Sequence, residues 1–583
     1  MEHRPSKTSY IVGTCVAIFA IWLPVYLYNH QSVDIEAVVS GLHHLEASYR
    51  PFPQPQPGPL VMVGFGGCTD ITLNALDFME SIGVSPNGSD FSDSSPQGTH
   101  DEVVELNTLE DIVEEFTKMF IAGAAAERYV KNQTLFKFLV DQAIACLENP
   151  ENYREAATRG FMSLGGNAPV MATRLAKEGA EVTLVARLSA REARALPPSV
   201  RVLSAPSNFG LPMTPESDVH LVLEYDRGAV WRNHTAPRSN RYILIRDEEN
   251  PRLSSLWPGL MSSWEKFGNH GGKKLGDAAA YPDLFVVGGL QTMDNAMISP
   301  DIRPQRIDEL KRFLSLELPR PTLVHFEMAS FVETNFIVNL TRAILPYVDS
   351  IGLNEQELPN LLSLLAHGRV APHASLSTPR AAVMLDTMRE IWALLTDPLH
   401  LPRVGSGLRR LSRIHLHTLG YQIVMVRRPK DPAKAQRMEQ QARLAETYFS
   451  PTEVGTAWPF ARAAAAKASL VAHRHTCATA SIDPDLTRLL MDDSFAVTTD
   501  PRRWPSTQLP DKKIRRIQFD PSSPVSCWFE AEPVLEYSRA TSIETQVEIC
   551  VAPVPVCRRV FRTVGGGDNI SAAALKAQLI ERH

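Results

Sequence analysis

Cysteine is scarce in this chain, and its spacing forms no metal motif. The seven cysteines include no C-x-x-C pair and no Cys/His spacing of a zinc site. A surplus of either charge is also missing, since 59 Lys and Arg stand against 65 Asp and Glu, for a formal net charge of −6. Without a basic excess the composition offers no support for a nucleic-acid partner. The local pairs Arg409-Arg410 and Arg427-Arg428 read as solvated faces. No repeat of fixed period recurs, which excludes a repeat array. What is present is the balance of a globular enzyme: 583 residues, 44% apolar and 21% charged. That is enough for one large domain with a lid, or for two domains.

Long apolar runs are missing apart from Tyr10–Tyr28, which is uncharged and has Arg4 and Lys7 before it and Asp34 and Glu36 after it. A bilayer core takes about 20 apolar residues, whereas the core of a cleaved signal peptide is roughly 7–15. Residues 1–30 therefore read as a membrane anchor, with a cleaved signal segment as the alternative. The flanking charges predict a cytosolic N-terminus and a translocated remainder. Sequons at Asn87, Asn132, Asn233 and Asn339 suit that compartment, which also permits disulfides. The alternating prolines from Pro51 to Pro59 exclude a helix interior or a central strand. Residues 31–59 are expected to be a Pro-rich spacer, extended over 46–59, ahead of a catalytic domain over 60–583.

Beyond the spacer, short apolar runs alternate with helical patterns. Strands are predicted at Leu60–Val63, Val182–Val185, Val219–Leu223, Tyr242–Ile245, Leu284–Val287, Leu323–Phe326, Ile414–Leu416 and Gln422–Val426. Helices are predicted at Leu109–Val130, Arg306–Leu316, Glu357–Leu365, Arg380–Leu395 and Ala461–Ala472. Such alternation implies an α/β fold with an open, mainly parallel sheet covered by helices on both faces. The polar stretches Ser85–Thr99 and Asp500–Asp520 read as insertions.

Chemistry concentrates near the C-terminus, in Arg562-Thr563-Val564-Gly565-Gly566-Gly567-Asp568-Asn569, ahead of an Ala- and Leu-rich helical stretch. A glycine turn entering a helix presents unpaired N–H groups and the positive end of the dipole, a good phosphate site. Asp568 would be repelled by a phosphate, so it reads as a general base for an attacking hydroxyl. The plainer alternative is an Asp cap on the helix. Leu323-Val324-His325-Phe326-Glu327 places Glu327 at the end of a strand, and Asn354-Glu355-Gln356-Glu357 follows a second strand end. Asn354, Glu357 and Glu327 together suit a magnesium ion held through waters.

G-x-G-D before a C-terminal helix, N-x-x-E and H-x-E together resemble the motif set of the ADP-dependent glucokinase and phosphofructokinase family, within the ribokinase-like superfamily. Gly123-Ala124-Ala125-Ala126-Glu127-Arg128, Gly165-Gly166-Asn167-Ala168, Leu223-Glu224-Tyr225, Asn240-Arg241 and Arg413–Leu419 extend the likeness from about Val61 to the C-terminus. The resemblance implies a large Rossmann-like domain and a smaller α/β lid, from discontinuous segments within about 66–130 and 180–245. It implies transfer of the β-phosphate of ADP to the 6-hydroxyl of glucose, giving AMP and glucose 6-phosphate. Carried over by motif, Asp70, Glu127, Gly165, Gly166 and Asn167 would bind the sugar. Arg241, Gly565, Gly566 and Gly567 would bind the phosphates. Glu327, Glu357 and Asp568 would serve one Mg²⁺ with Asn354 in its network, and Asp568 would be the base. A monomer in the endoplasmic reticulum, and a Cys477–Cys557 disulfide, are further implications.

Two departures bear on the sugar. Gly66 stands where the family pattern has a sugar-binding Asn, and Asp226 stands where Gln is expected. Gly566 replaces a larger apolar residue, which should loosen the anion hole. His415 and His417 read as structural. The alternatives kept open are an ATP-dependent sugar kinase, because ADP and ATP present the same terminal phosphate to such a turn, and a nucleotide-binding scaffold.

Overall fold

The computed structural model describes residues 34–48, 58–84, 106–148, 160–203, 218–247, 281–293, 302–329, 331, 334–370, 380–396, 408–444, 450–497, 517–532, 543–558 and 560–579. The apolar run at Tyr10–Tyr28, most of the proline stretch, Asn87 and most of both polar insertions lie outside them. Among the described residues no helix is long and apolar enough to cross a membrane.

A ten-stranded sheet forms the body. From Val200–Leu203 through Glu181–Val185, Leu60–Gly64, Leu284–Val287, Leu323–Glu327 and Ser350–Leu353 to Arg413–His417, every neighbouring pair is parallel. Tyr421–Pro429, Thr545–Pro553 and Ser526–Ala531 complete it in antiparallel fashion. The parallel strands are nearly continuous Val, Ile, Leu and Phe because helices bury both faces. Glu327 and His417 are the last residues of their strands, so the parallel register brings them to the C-terminal edge.

A second, five-stranded sheet has its own core. It runs Ala126–Tyr129, Asn240–Ile245, Val219–Tyr225, Cys68–Asn74, Phe161–Gly165. Beneath it Phe116 meets Trp231 edge-on at 5.4 Å, Tyr242 at 5.7 Å and Tyr225 at 6.1 Å. This sheet is the lid. The expected segment 180–245 is corrected here, because Glu181–Val185 and Val200–Leu203 pair into the large sheet, while Phe161–Gly165 joins the lid. Leu60–Gly64 leads through Phe65-Gly66-Gly67 straight into the lid, and Phe161–Gly165 returns through Gly166 into the body helix Asn167–Lys177.

Three other expectations change. Helix Leu109–Ala122 stops at Gly123, whose left-handed φ of 59° caps it, so Ala126–Tyr129 is free to become a strand. Within the expected spacer, Ile35–Ser48 is a helix. It buries Val38, Val39 and Leu42, while Glu46 binds Lys467 at 2.7 Å and Arg474 at 2.9 Å. The basic pairs are not solvated faces either: Arg427 is fully buried with Nη2 donating to Glu532 at 2.6 Å, and Arg409 donates to Asp349 at 2.7 Å. Buried guanidinium groups survive only when paired, and these are.

Candidate active site

The C-terminal edge of the parallel sheet gathers the chemistry. Gly565 has φ 66°, a left-handed turn that starts the helix Gly566–Ala577, so its first-turn N–H groups face the edge. A Cβ on Gly567 would lie 2.8 Å from His417 Cε1, so only glycine fits against that ring. Asp568 follows in the first helical turn. Asn167 Nδ2 donates to its Oδ1 at 2.9 Å, and Gln291 Nε2 donates to Asn167 Oδ1 at 2.6 Å, which fixes the amide's orientation. Burial and the nearby Glu327 charge push the Asp568 carboxyl up to about 6, against the pull of Asn167, His417 and Arg241. A carboxylate so tuned is a competent base near neutral pH.

Glu327 is held by three side chains. His325 Nε2 donates to its Oε2 at 2.8 Å, His417 Nε2 to its Oε1 at 2.8 Å and Ser571 Oγ to its Oε2 at 2.6 Å. Burial would raise its carboxyl, but the two histidines hold it well below the usual range. Oε2 thus accepts two hydrogen bonds and Oε1 one, which fixes the carboxylate from within the protein. Behind it, His325 Nδ1 lies 2.8 Å from Ser350 Oγ, which accepts from buried Arg413 at 3.0 Å. The chain Arg413, Ser350, His325, Glu327, His417 thus ends against the glycine turn. His417 is therefore a site residue rather than only a structural one. His415 Nε2 lies 3.3 Å from Gln422 Oε1.

The N-x-x-E segment closes on itself. Asn354 Oδ1 accepts from Glu357 N at 3.0 Å, while Glu357 accepts from Asn354 N at 2.9 Å and Nδ2 at 2.8 Å. That is a reciprocal cap on helix Glu357–His367. Burial, with Glu327 and Asp568 close by, pushes the Glu357 carboxyl up to about 8. Glu327, Glu357 and Asp568 feel one another's charge, yet they are not among the described groups whose ligand atoms converge within 4.8 Å.

The lid brings the second half. Buried Asp70 lies against Gly165, where a Cβ would fall 2.0 Å from Asp70 Oδ1. Burial pushes the Glu127 carboxyl up to about 7 and raises that of Asp70. Both feel His220, whose Nε2 lies 2.8 Å from Asp247 Oδ1. Burial lowers His220, but Asp247 with Glu127 and Asp70 carries it up to about 10. Asp70, Glu127 and Asp568 all feel the Arg241 charge, which lowers each carboxyl. Gly66 has φ 79°, a conformation that Gly adopts freely and Asn tolerates. Cys477 and Cys557 form a disulfide, as does the pair Cys527–Cys550. Sequence reasoning missed Cys68, His220, Asp247 and Gln291, which carry no motif and meet only in space.

Comparison with known proteins agrees with this layout. Residues 59–577 match the model of the ADP-specific phosphofructokinase/glucokinase conserved region. A probable ADP-dependent glucokinase of Caenorhabditis elegans is 28% identical over 88% of this chain and 84% of that protein. The ADP-dependent glucokinase of Bos taurus is 28% identical over 90% of this chain and 85% of its own. Among solved structures, an ADP-dependent kinase complexed with fructose-6-phosphate and ADPβS shares the fold at TM-score 0.52 and 16% identity, covering 94% of this chain and 98% of that one. With the family model spanning nearly the whole described body and lid, the chain belongs to the ADP-specific phosphofructokinase/glucokinase family.

Proposed function

We propose that this chain phosphorylates glucose at the 6-hydroxyl with ADP, releasing AMP and glucose 6-phosphate. The observation that carries the reading is Asp568, held by Asn167 at 2.9 Å beside the Gly565–Gly567 turn and across from the Asp70 and Glu127 cluster. Asp70 and Glu127 would accept hydrogen bonds from sugar hydroxyls, and a carboxylate at 127 disfavours an already phosphorylated hexose. Asp568 takes the proton from the 6-hydroxyl as that oxygen attacks the β-phosphorus and AMP leaves. First-turn N–H groups of the helix and Arg241 offset charge on the transferring group.

The residues also fit one Mg²⁺ held largely through waters. Glu357 and Asp568 both have carboxyls raised by burial and, less, by neighbouring negative charge, the part that a divalent cation would relieve. Such an ion would neutralise charge on the phosphates. The two disulfides and the apolar run near the N-terminus favour a lumenal address in the secretory pathway.

The test is AMP release by the full chain with ADP, Mg²⁺ and glucose, beside Asp568→Ala. Glucose-dependent AMP that vanishes in the variant supports the reading. Turnover with ATP and none with ADP, or AMP formation unaffected by the substitution, would overturn it.

A further inference from the structure

Away from the phosphoryl-transfer edge, three metal-ligand atoms meet inside the lid. Cys68 and Asp70 are two residues apart on one strand and so share a face. The parallel register sets Asp70 beside His220 on the next strand. Cys68 Sγ lies 3.3 Å from Asp70 Oδ1 and 3.3 Å from His220 Nδ1, and His220 Nδ1 lies 3.9 Å from Asp70 Oδ1. All three side chains are buried, and Asp70 and His220 keep 6% and 8% exposure. Tetrahedral zinc, with bonds of about 2.3 Å to sulfur and 2.0–2.2 Å to nitrogen and oxygen, holds such atoms about 3.4–3.6 Å apart. The three atoms already stand near that spacing. Asp247 Oδ1, 2.8 Å from His220 Nε2, fixes the ring with Nδ1 aimed at the other two. A carboxylate behind a histidine is the usual support of a metal-binding imidazole.

We propose that Cys68, Asp70 and His220 bind a zinc-type divalent cation, with the fourth position open to the sugar cleft. On binding, the Cys68 thiol and the His220 imidazolium each give one proton to solvent, and the thiolate and the neutral ring's Nδ1 become ligands. Sulfur and imidazole select a borderline-soft ion over magnesium, so the site and the phosphoryl-transfer ion do not compete. Asp70 is shared with the sugar under the function proposed above, so zinc and glucose exclude each other.

The probe is Co²⁺ titrated into the untagged full chain without sugar or nucleotide, with Zn²⁺ as displacer. A thiolate-to-cobalt charge-transfer band is expected, abolished by Zn²⁺ and absent in Cys68→Ser, whose hydroxyl can still donate to Asp70. Asp247→Asn should weaken Zn²⁺ binding about 10- to 100-fold. Glucose should weaken it progressively, and Zn²⁺ should inhibit AMP release competitively with glucose. Absence of the band, or a band unchanged in Cys68→Ser, overturns the site. A band that glucose does not diminish overturns the shared use of Asp70. Because cobalt is read without turnover, a chain inactive toward glucose could still show the band, and an active one could still lack it.

Discussion

Glu224 and Thr563 are joined by a single oxygen: Glu224 Oε1 accepts from the Thr563 backbone N–H at 2.6 Å and from its hydroxyl at 2.5 Å. The same oxygen accepts from Val564 N at 3.0 Å. Glu224 sits on a lid strand, and Thr563 opens the glycine turn of the body. The lid therefore reaches into the loop that carries the phosphate N–H groups. Glu224→Ala should lower kcat/KM for AMP formation about 10- to 100-fold, since hydrogen bonds to a charged group are worth about 1.5–3 kcal/mol. Steady-state kinetics of the variant check it, and an unchanged kcat/KM would show that the lid does not help set the turn.

The base should be visible in the pH profile. As the proposed base, Asp568 would act only when ionised, so kcat/KM should fall as pH drops through about 6. Asn167 holds that carboxyl down, so Asn167→Ala should move the acid limb to higher pH. A limb that stays in place would mean another group titrates there.

The glycine turn separates two neighbours. A Cβ on Gly566 would meet His475 Cδ2 at an ordinary 3.6 Å, whereas one on Gly567 would press on His417 at 2.8 Å. Gly566→Ala should keep activity and gain up to about 1 kcal/mol of stability. Gly567→Ala should lose most turnover. Thermal melts and AMP assays on the pair distinguish the two outcomes.

Gly66 offers a gain-of-affinity test. Its φ of 79° is one that Asn tolerates. Gly66→Asn should lower KM for glucose by up to roughly tenfold, the worth of one net hydrogen bond. An unchanged or raised KM would mean that the cleft is shaped for a different sugar.

Truncation should reveal the N-terminal helix. A chain beginning at residue 34 keeps Val38, Val39 and Leu42 buried, and one beginning at residue 46 loses all three. At about 1.5–3 kcal/mol for each fully buried side chain, the loss is several kcal/mol. The shorter chain should melt about 10 °C lower or more, at about 2–4 °C per kcal/mol for a large domain.

The parallel sheet was legible because doubly buried strands read as unbroken apolar runs; Leu284–Val287 matches residue for residue. The lid was harder. Cys68–Asn74 is CTDITLN, whose buried residues include the polar Asp70 and Thr72, so it does not read as an apolar run. Ala126–Tyr129 continues the pattern of the preceding helix, and only the left-handed Gly123 separates them. At the site, the short motifs pointed to Asp568 and its turn. They could not show that Glu327 serves two histidines, because Glu327 and His417 are 90 residues apart. His220 and Asp247 carry no local signature; their pairing exists only once two strands lie side by side.

The two described crossings between body and lid touch each other. A side chain on Gly166 would fall 2.9 Å from Gly67 Cα, so backbone meets backbone there with nothing in between. Linkers packed that tightly cannot shift one without the other, so any movement of the smaller sheet at this seam is felt by both strands that enter and leave it.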